Sequence, residues 1–294
     1  MKKPKHLLSI LDLSPKEIWE IFYLAKKLKK ELKSKGINKP ALKGKSLALI
    51  FEKQSLRTRI SFEIGMVQLG GHVVYLDPRD TGIGVRESEA DIAKVLSTMA
   101  DFIAARTYAH QTIVNIAENS TIPVINALSD LEHPCQALTD LFTIWEIKGK
   151  IKGLKIAYVV DGENNVTHSL VLGTTMLGAI FSCGSPKGYW MNSSIVAKAK
   201  EYGEVVETVD PQEAVKNADV VVTDTWISMG DTDKTKRLRI FKKYQVNQKL
   251  MQYAKKEAIF LHCLPAYRGK EVTSEVIDGP QSVVFQEAEN RMHV

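Results

Sequence analysis

Apolar residues recur along this chain at two spacings, and the spacings separate helices from strands. Ile18, Ile21, Phe22, Ala25, Leu28 and Leu32 fall three and four apart, which predicts a helix over 14–36 with one apolar face. Its ends are marked too. Ser14-Pro15-Lys16-Glu17 is a capping box with proline at the first helical position, and Gly36 closes the segment. From residue 46 short apolar runs alternate with amphipathic stretches. Runs at 47–51, 73–76, 102–105 and 124–127 predict strands, and 58–69, 88–99, 110–118 and 134–148 predict the helices between them. Further strand runs follow at 156–160, 180–183, 205–208, 220–223 and 259–262.

Strand-helix alternation implies parallel sheets with right-handed crossovers. Two such sets predict an α/β chain of two doubly wound parallel-sheet domains joined by an interdomain helix. The pattern ending at Lys148, with Gly149 and Gly153 beyond it, places the domains at 1–148 and 149–294.

Composition narrows the function. With 44% apolar and 25% charged residues, the 294 residues have an ordinary globular make-up. The net charge of +6 comes largely from the lysines between Lys26 and Lys35, which read as the wet face of a helix. No aromatic-interleaved basic motif suggests a nucleic-acid partner, although a positive field would draw in an anionic substrate. Cys135, Cys183 and Cys263 are scattered and form neither a disulfide framework nor a zinc pattern, so no metal is expected. No apolar run approaches the ~20 residues of a membrane span and no cleavable leader is evident, so a cytoplasmic location is expected.

Ligands of open α/β sheets bind beyond the carboxyl ends of the strands. After the first strand stands Phe51-Glu52-Lys53-Gln54-Ser55-Leu56-Arg57-Thr58-Arg59 ahead of a helix. Hydroxyls, arginines and free helix-start amides there suit a phosphate, although the segment also reads as an N-capped helix with surface arginines. It is neither a Walker A loop nor a dinucleotide fingerprint. Later in that half come Arg106, then His133-Pro134-Cys135-Gln136, with His133 and Gln136 at one helix end. Singly each reads as structural; jointly they suit a carbonyl oxygen gaining charge. In the second half the strands lead into Asp161-Gly162-Glu163-Asn164-Asn165, Asp224-Thr225-Trp226-Ile227-Ser228-Met229-Gly230 and His262-Cys263-Leu264-Pro265-Ala266. Read alone, these are a polar turn, a glycine-ended loop and an inert buried cysteine.

Together these segments resemble the ornithine carbamoyltransferases, in order from Phe51 to Arg291. FEKQSLRTR is similar to that family's phosphate-binding segment, HPCQALTD to its carbamoyl-binding segment and DTWISMG to its ornithine-recognition loop. HCLPA carries its reactive-site cysteine. The resemblance implies carbamoyl transfer from carbamoyl phosphate to the δ-amine of L-ornithine, giving L-citrulline and phosphate, without a cofactor. It implies that Ser55, Leu56 (through its backbone), Arg57 and Thr58 hold the phosphate. Arg106, His133, Gln136, Cys263, Leu264 and Arg291 would hold the carbamoyl end. Asn165, Asp224, Ser228 and Met229 would position ornithine, and Cys263, Asp224, Arg106 and His133 would serve the chemistry. A role in arginine biosynthesis and a homotrimer, or an assembly of trimers, are implied as well.

Some positions depart from the family. Leu56 stands where many members have threonine, Tyr267 where histidine is frequent, and Gly82 where a glutamine or histidine usually reaches into a neighbouring subunit. Relatives also continue past the position of Val294 with a helix that packs back on the first domain. The rival readings are a transcarbamylase for aspartate, putrescine or acetylated ornithine, and a catalytically idle binding protein of the same fold. A nicotinamide dehydrogenase lacks its glycine fingerprint here.

Overall fold

A computed structural model describes residues 4–77, 82–83, 86–227 and 233–294. Contacts divide the chain into two compact units, Met1–Leu138 with Arg291–Val294, and Thr139–Asn290.

In the first unit a 3₁₀ turn (Ile10–Asp12) precedes α1 (Pro15–Lys35), where Ser14 and Glu17 complete the capping box and Gly36, at φ 71°, ends the helix in the left-handed region. Four parallel strands follow: β1 (Ser46–Phe51), β2 (His72–Leu76), β3 (Phe102–Arg106) and β4 (Val124–Leu128), in the order β2-β1-β3-β4. Between them run α2 (Leu56–Gln68), α3 (Glu89–Met99) and α4 (His110–Asn119). β1 is covered on both faces. Ala48 and Ile50 pack with Ile92, Ala93, Ile113 and Ile116, while Leu47, Leu49 and Phe51 pack with Met66. That is why 47–51 reads as an unbroken apolar run and not as an alternating one. Each large side chain so buried contributes on the order of 1.5–3 kcal/mol.

The helix α5 (Pro134–Lys148) follows β4, and the division between the units falls within it. The second unit has five parallel strands, β5 (Lys155–Val159), β6 (Ile180–Gly184), β7 (Val205–Thr208), β8 (Val220–Thr223) and β9 (Ile259–His262), ordered β7-β6-β5-β8-β9. Its helix α6 (Asn165–Met176) follows β5 and is buried from Val166 onward.

Each sheet reverses strand order once, between β1 and β3 in the first and between β5 and β8 in the second. Chain leaving neighbouring strands on either side of such a reversal opens a crevice. The candidate residues follow these strands and their neighbours β4 and β9. Among the described residues no helix is long and apolar enough to cross a membrane.

Candidate active site

In the first unit the sequence builds a site around one hydroxyl. α2 starts at Leu56, two residues earlier than its apolar pattern predicts, because Ser55 is an extended N-cap whose Oγ accepts from the Thr58 N–H at 3.4 Å. Leu56, Arg57 and Thr58 therefore form the first helical turn, where amides lack intrahelical acceptors and the helix dipole favours an anion. Ser55 Oγ lies 3.0 Å from Thr58 Oγ1. The same Thr58 oxygen accepts from Arg291 Nη2 at 2.8 Å and from Arg106 Nη1 at 3.5 Å. Two guanidiniums and a serine thus converge on a buried hydroxyl, a donor set suited to an anionic oxygen. Arg57 lies on the same turn with its Nε buried.

Arg106 is the last residue of β3, and not part of the loop beyond it as its pattern suggests; the β3–β4 register shifts between Ala105 and Arg106. His133 caps α5, its carbonyl accepting from the Gln136 and Ala137 amides, and both His133 and Gln136 are buried. Burial first, then the Arg291 and Arg106 charges, hold the His133 imidazole well below its usual pKa. It is therefore neutral near pH 7. Cys135, one residue into α5, is pushed up to about 11, chiefly by burial.

In the second unit Asp224, just past β8, collects donors. Thr225 N–H reaches Oδ1 at 2.7 Å, Cys263 Sγ donates to Oδ1 at 3.3 Å and Asn164 Nδ2 donates to Oδ2 at 3.1 Å. Burial, then the Asp224 charge, keep the Cys263 thiol well above its usual pKa, so it carries its proton. His262 Nδ1 accepts from the Leu264 N–H at 2.9 Å, which leaves the Nε2 proton to donate to buried Glu271 at 3.3 Å. Leu264 sits at φ 58°, an uncommon conformation for a leucine, ahead of a cis bond to Pro265. Asp224, His262 and Cys263 place possible ligand atoms within 4.8 Å of one another. The engaged imidazole and the protonated thiol make them a hydrogen-bonded set and a poor metal cradle.

Ser55, Thr58, Arg106 and Arg291 meet through hydrogen bonds, with His133 within reach of the two arginine charges. Leu56, Arg57 and Gln136 share the helix starts that carry this group. Asp224 and Cys263 meet in the second unit, and Leu264 follows directly. Asn165 is the first residue of α6 and half-buried. Ser228 and Met229 lie outside the described residues. At Gly82 φ is 54° and an added Cβ would come 2.8 Å from Arg86 Cβ. The glutamine or histidine usual in the family would not fit there unchanged.

Two residues escaped the sequence reading. Asn164 caps α6 through the Val166 N–H at 2.7 Å and also reaches Asp224; its position as the first asparagine before an apolar run was the available signal. Arg237 donates from Nε to the Trp226 carbonyl at 2.6 Å and pairs with Asp161, fixing the segment that leaves Asp224. Nothing in its lysine-rich surroundings singles it out.

Comparison with known proteins matches both halves of the chain. The pattern described as "Aspartate/ornithine carbamoyltransferase, carbamoyl-P binding domain" matches residues 5–146, and "Aspartate/ornithine carbamoyltransferase, Asp/Orn binding domain" matches 152–294. The ornithine carbamoyltransferase of Bacillus subtilis is 50% identical over 296 residues, covering 99% of this chain and 91% of its own. The solved structure of the Pyrococcus furiosus ornithine carbamoyltransferase is similar at a TM-score of 0.95 and 47% identity, covering 99% of this chain and 94% of that one. The anabolic enzyme of that name from Campylobacter jejuni gives 0.92 and 38%, covering 98% and 95%. With both halves matched and half of all positions identical to such relatives, the chain belongs to the aspartate/ornithine carbamoyltransferase family, among its ornithine carbamoyltransferases.

Proposed function

We propose that this enzyme transfers the carbamoyl group of carbamoyl phosphate to the δ-amine of L-ornithine, giving L-citrulline and phosphate. The observation that carries the reading is the convergence of Ser55, Arg106 and Arg291 on Thr58 at the start of α2. The phosphate sits on the first turn of α2, held by Ser55, the Leu56 amide, Arg57 and Thr58. The carbamoyl oxygen faces Arg106, His133 and Gln136, with Arg291 completing its donor set. Because His133 is neutral, it donates a hydrogen bond without adding a third charge beside two guanidiniums.

The amine nitrogen uses its lone pair to form the new C–N bond, and the bond from carbonyl carbon to phosphate oxygen breaks. Negative charge gathers on the carbamoyl oxygen between these steps, where each preorganised donor contributes on the order of 3 kcal/mol. Only about one amine in a few thousand is neutral at pH 7 if its pKa is near ~10.4. Asp224, with Asn165, Ser228 and Met229, positions ornithine. Cys263 holds its own proton and so cannot be the base; it orients the Asp224 carboxylate. Asp224 and the departing phosphate retain lone pairs for the amine proton. Such an attack calls for neither a metal nor a nucleotide.

We also propose a homotrimer. The exposed stripe Leu56 (69%), Ile60 (43%), Ile64 (42%) and Val67 (66%) along α2 supports a second copy docking beside the phosphate residues. The free thiols suit a reducing cytoplasm, and likeness to the anabolic Campylobacter jejuni enzyme supports a role in arginine synthesis. A colorimetric citrulline assay with carbamoyl phosphate and ornithine tests the activity. Turnover of putrescine or aspartate in place of ornithine would overturn the substrate assignment.

A further inference from the structure

Glu52 is a carboxylate in an otherwise cationic segment with Lys53, Arg57 and Arg59, one step past β1 and three before Ser55. An acidic group there weakens the pull on an anion, so its presence calls for a structural return. Its backbone N–H donates to the Arg106 carbonyl at 2.8 Å. Its Oε2 accepts from the Tyr108 N–H at 2.6 Å. One residue therefore grips the chain on both sides of Thr107. The neighbouring Lys53 ammonium lies 4.6 Å from the centre of the Tyr108 ring and adds a second hold on the same loop.

The grip matters because of where β3 ends. Its pairing with β4 slips between Ala105 and Arg106, so β4 does not fix Arg106 in regular register. On that side the loop is secured one residue later, where Thr107 N–H donates to the Leu128 carbonyl at 2.9 Å. The Arg106 side chain reaches Thr58 Oγ1 at 3.5 Å, and its backbone carbonyl is held on the β1 side by the Glu52 N–H.

We infer that Glu52 is a positioning residue for the anion half-site, clamping the Arg106–Tyr108 backbone so that the Arg106 guanidinium meets the substrate carbonyl. This rests on the proposed carbamoyl transfer. The role needs an acceptor and not a charge, so glutamine should replace the carboxylate and alanine should not.

The test compares E52A and E52Q in the full-length enzyme. Loss of the acceptor for the Tyr108 N–H at a site that must orient a guanidinium should raise the KM for carbamoyl phosphate roughly tenfold or more in E52A. The KM for ornithine should stay within about twofold, since a local loop change does not touch that half. E52Q should recover most of the loss. Amide exchange at Tyr108 should speed up in E52A and stay slow in E52Q, a readout that needs no substrate. Equal impairment of the two variants, equal rises in both KM values, or a drop in Tm with carbamoyl phosphate kinetics unchanged would each overturn the inference. A wild-type enzyme that forms no citrulline would instead defeat the functional reading, and the Tyr108 exchange data would still decide the clamp.

Discussion

The thiol of Cys263 donates a hydrogen bond to Asp224 Oδ1 at 3.3 Å, joining the turn after β9 to the turn after β8. Burial and the carboxylate's charge both disfavour a thiolate, so this cysteine is a proton holder and not a nucleophile at neutral pH. Across pH 6–8 no limb of the kcat/KM profile should belong to it. C263S, which keeps a donor, should lose less activity than C263A, and the two profiles should have the same shape. Thiolate absorbance appearing below pH 8 would contradict this.

The buried neutral His133 links the anion site to stability. Its folded pKa lies well below the ordinary 6.5, so under acid conditions the unfolded chain binds a proton that the folded chain refuses. Stability from this group is intact above about 6.5 and falls as pH drops below it. Thermal unfolding followed from pH 7.5 to 5 should show the decline, and H133Q should flatten part of it.

Thr58 receives two guanidiniums, and valine matches its shape without its oxygen. T58V should cost roughly 1–3 kcal/mol in urea unfolding, because two guanidiniums lose an acceptor that water does not readily replace. An unchanged midpoint would mean that Arg106 and Arg291 are held by other groups.

On the amine side, N164A removes both the α6 cap and a donor to Asp224. It should raise the KM for ornithine roughly tenfold while leaving that for carbamoyl phosphate nearly unchanged. Equal shifts would point to general loosening.

Strands and helix ends were legible where a local rule acts alone. The double burial of 47–51 and the box Ser14–Glu17 need only neighbouring residues to be read. The start of α2 was misjudged because Ser55 begins the helix before its apolar pattern does. The partnership of Arg291 with Thr58, 233 residues apart, has no local trace; only the family resemblance pointed to Arg291. Asn164 and Asn165 carry the same side chain, and only the structure shows that Asn164 both caps α6 and reaches Asp224.

The most direct test of the account is calorimetric binding of carbamoyl phosphate to the wild type, R57A and D224N, with citrulline formation measured on the same preparations. Loss of the Arg57 guanidinium should weaken binding roughly 10- to 100-fold. D224N should bind carbamoyl phosphate like the wild type yet form citrulline far more slowly. Wild-type affinity in R57A, or undiminished citrulline formation in D224N, would contradict it.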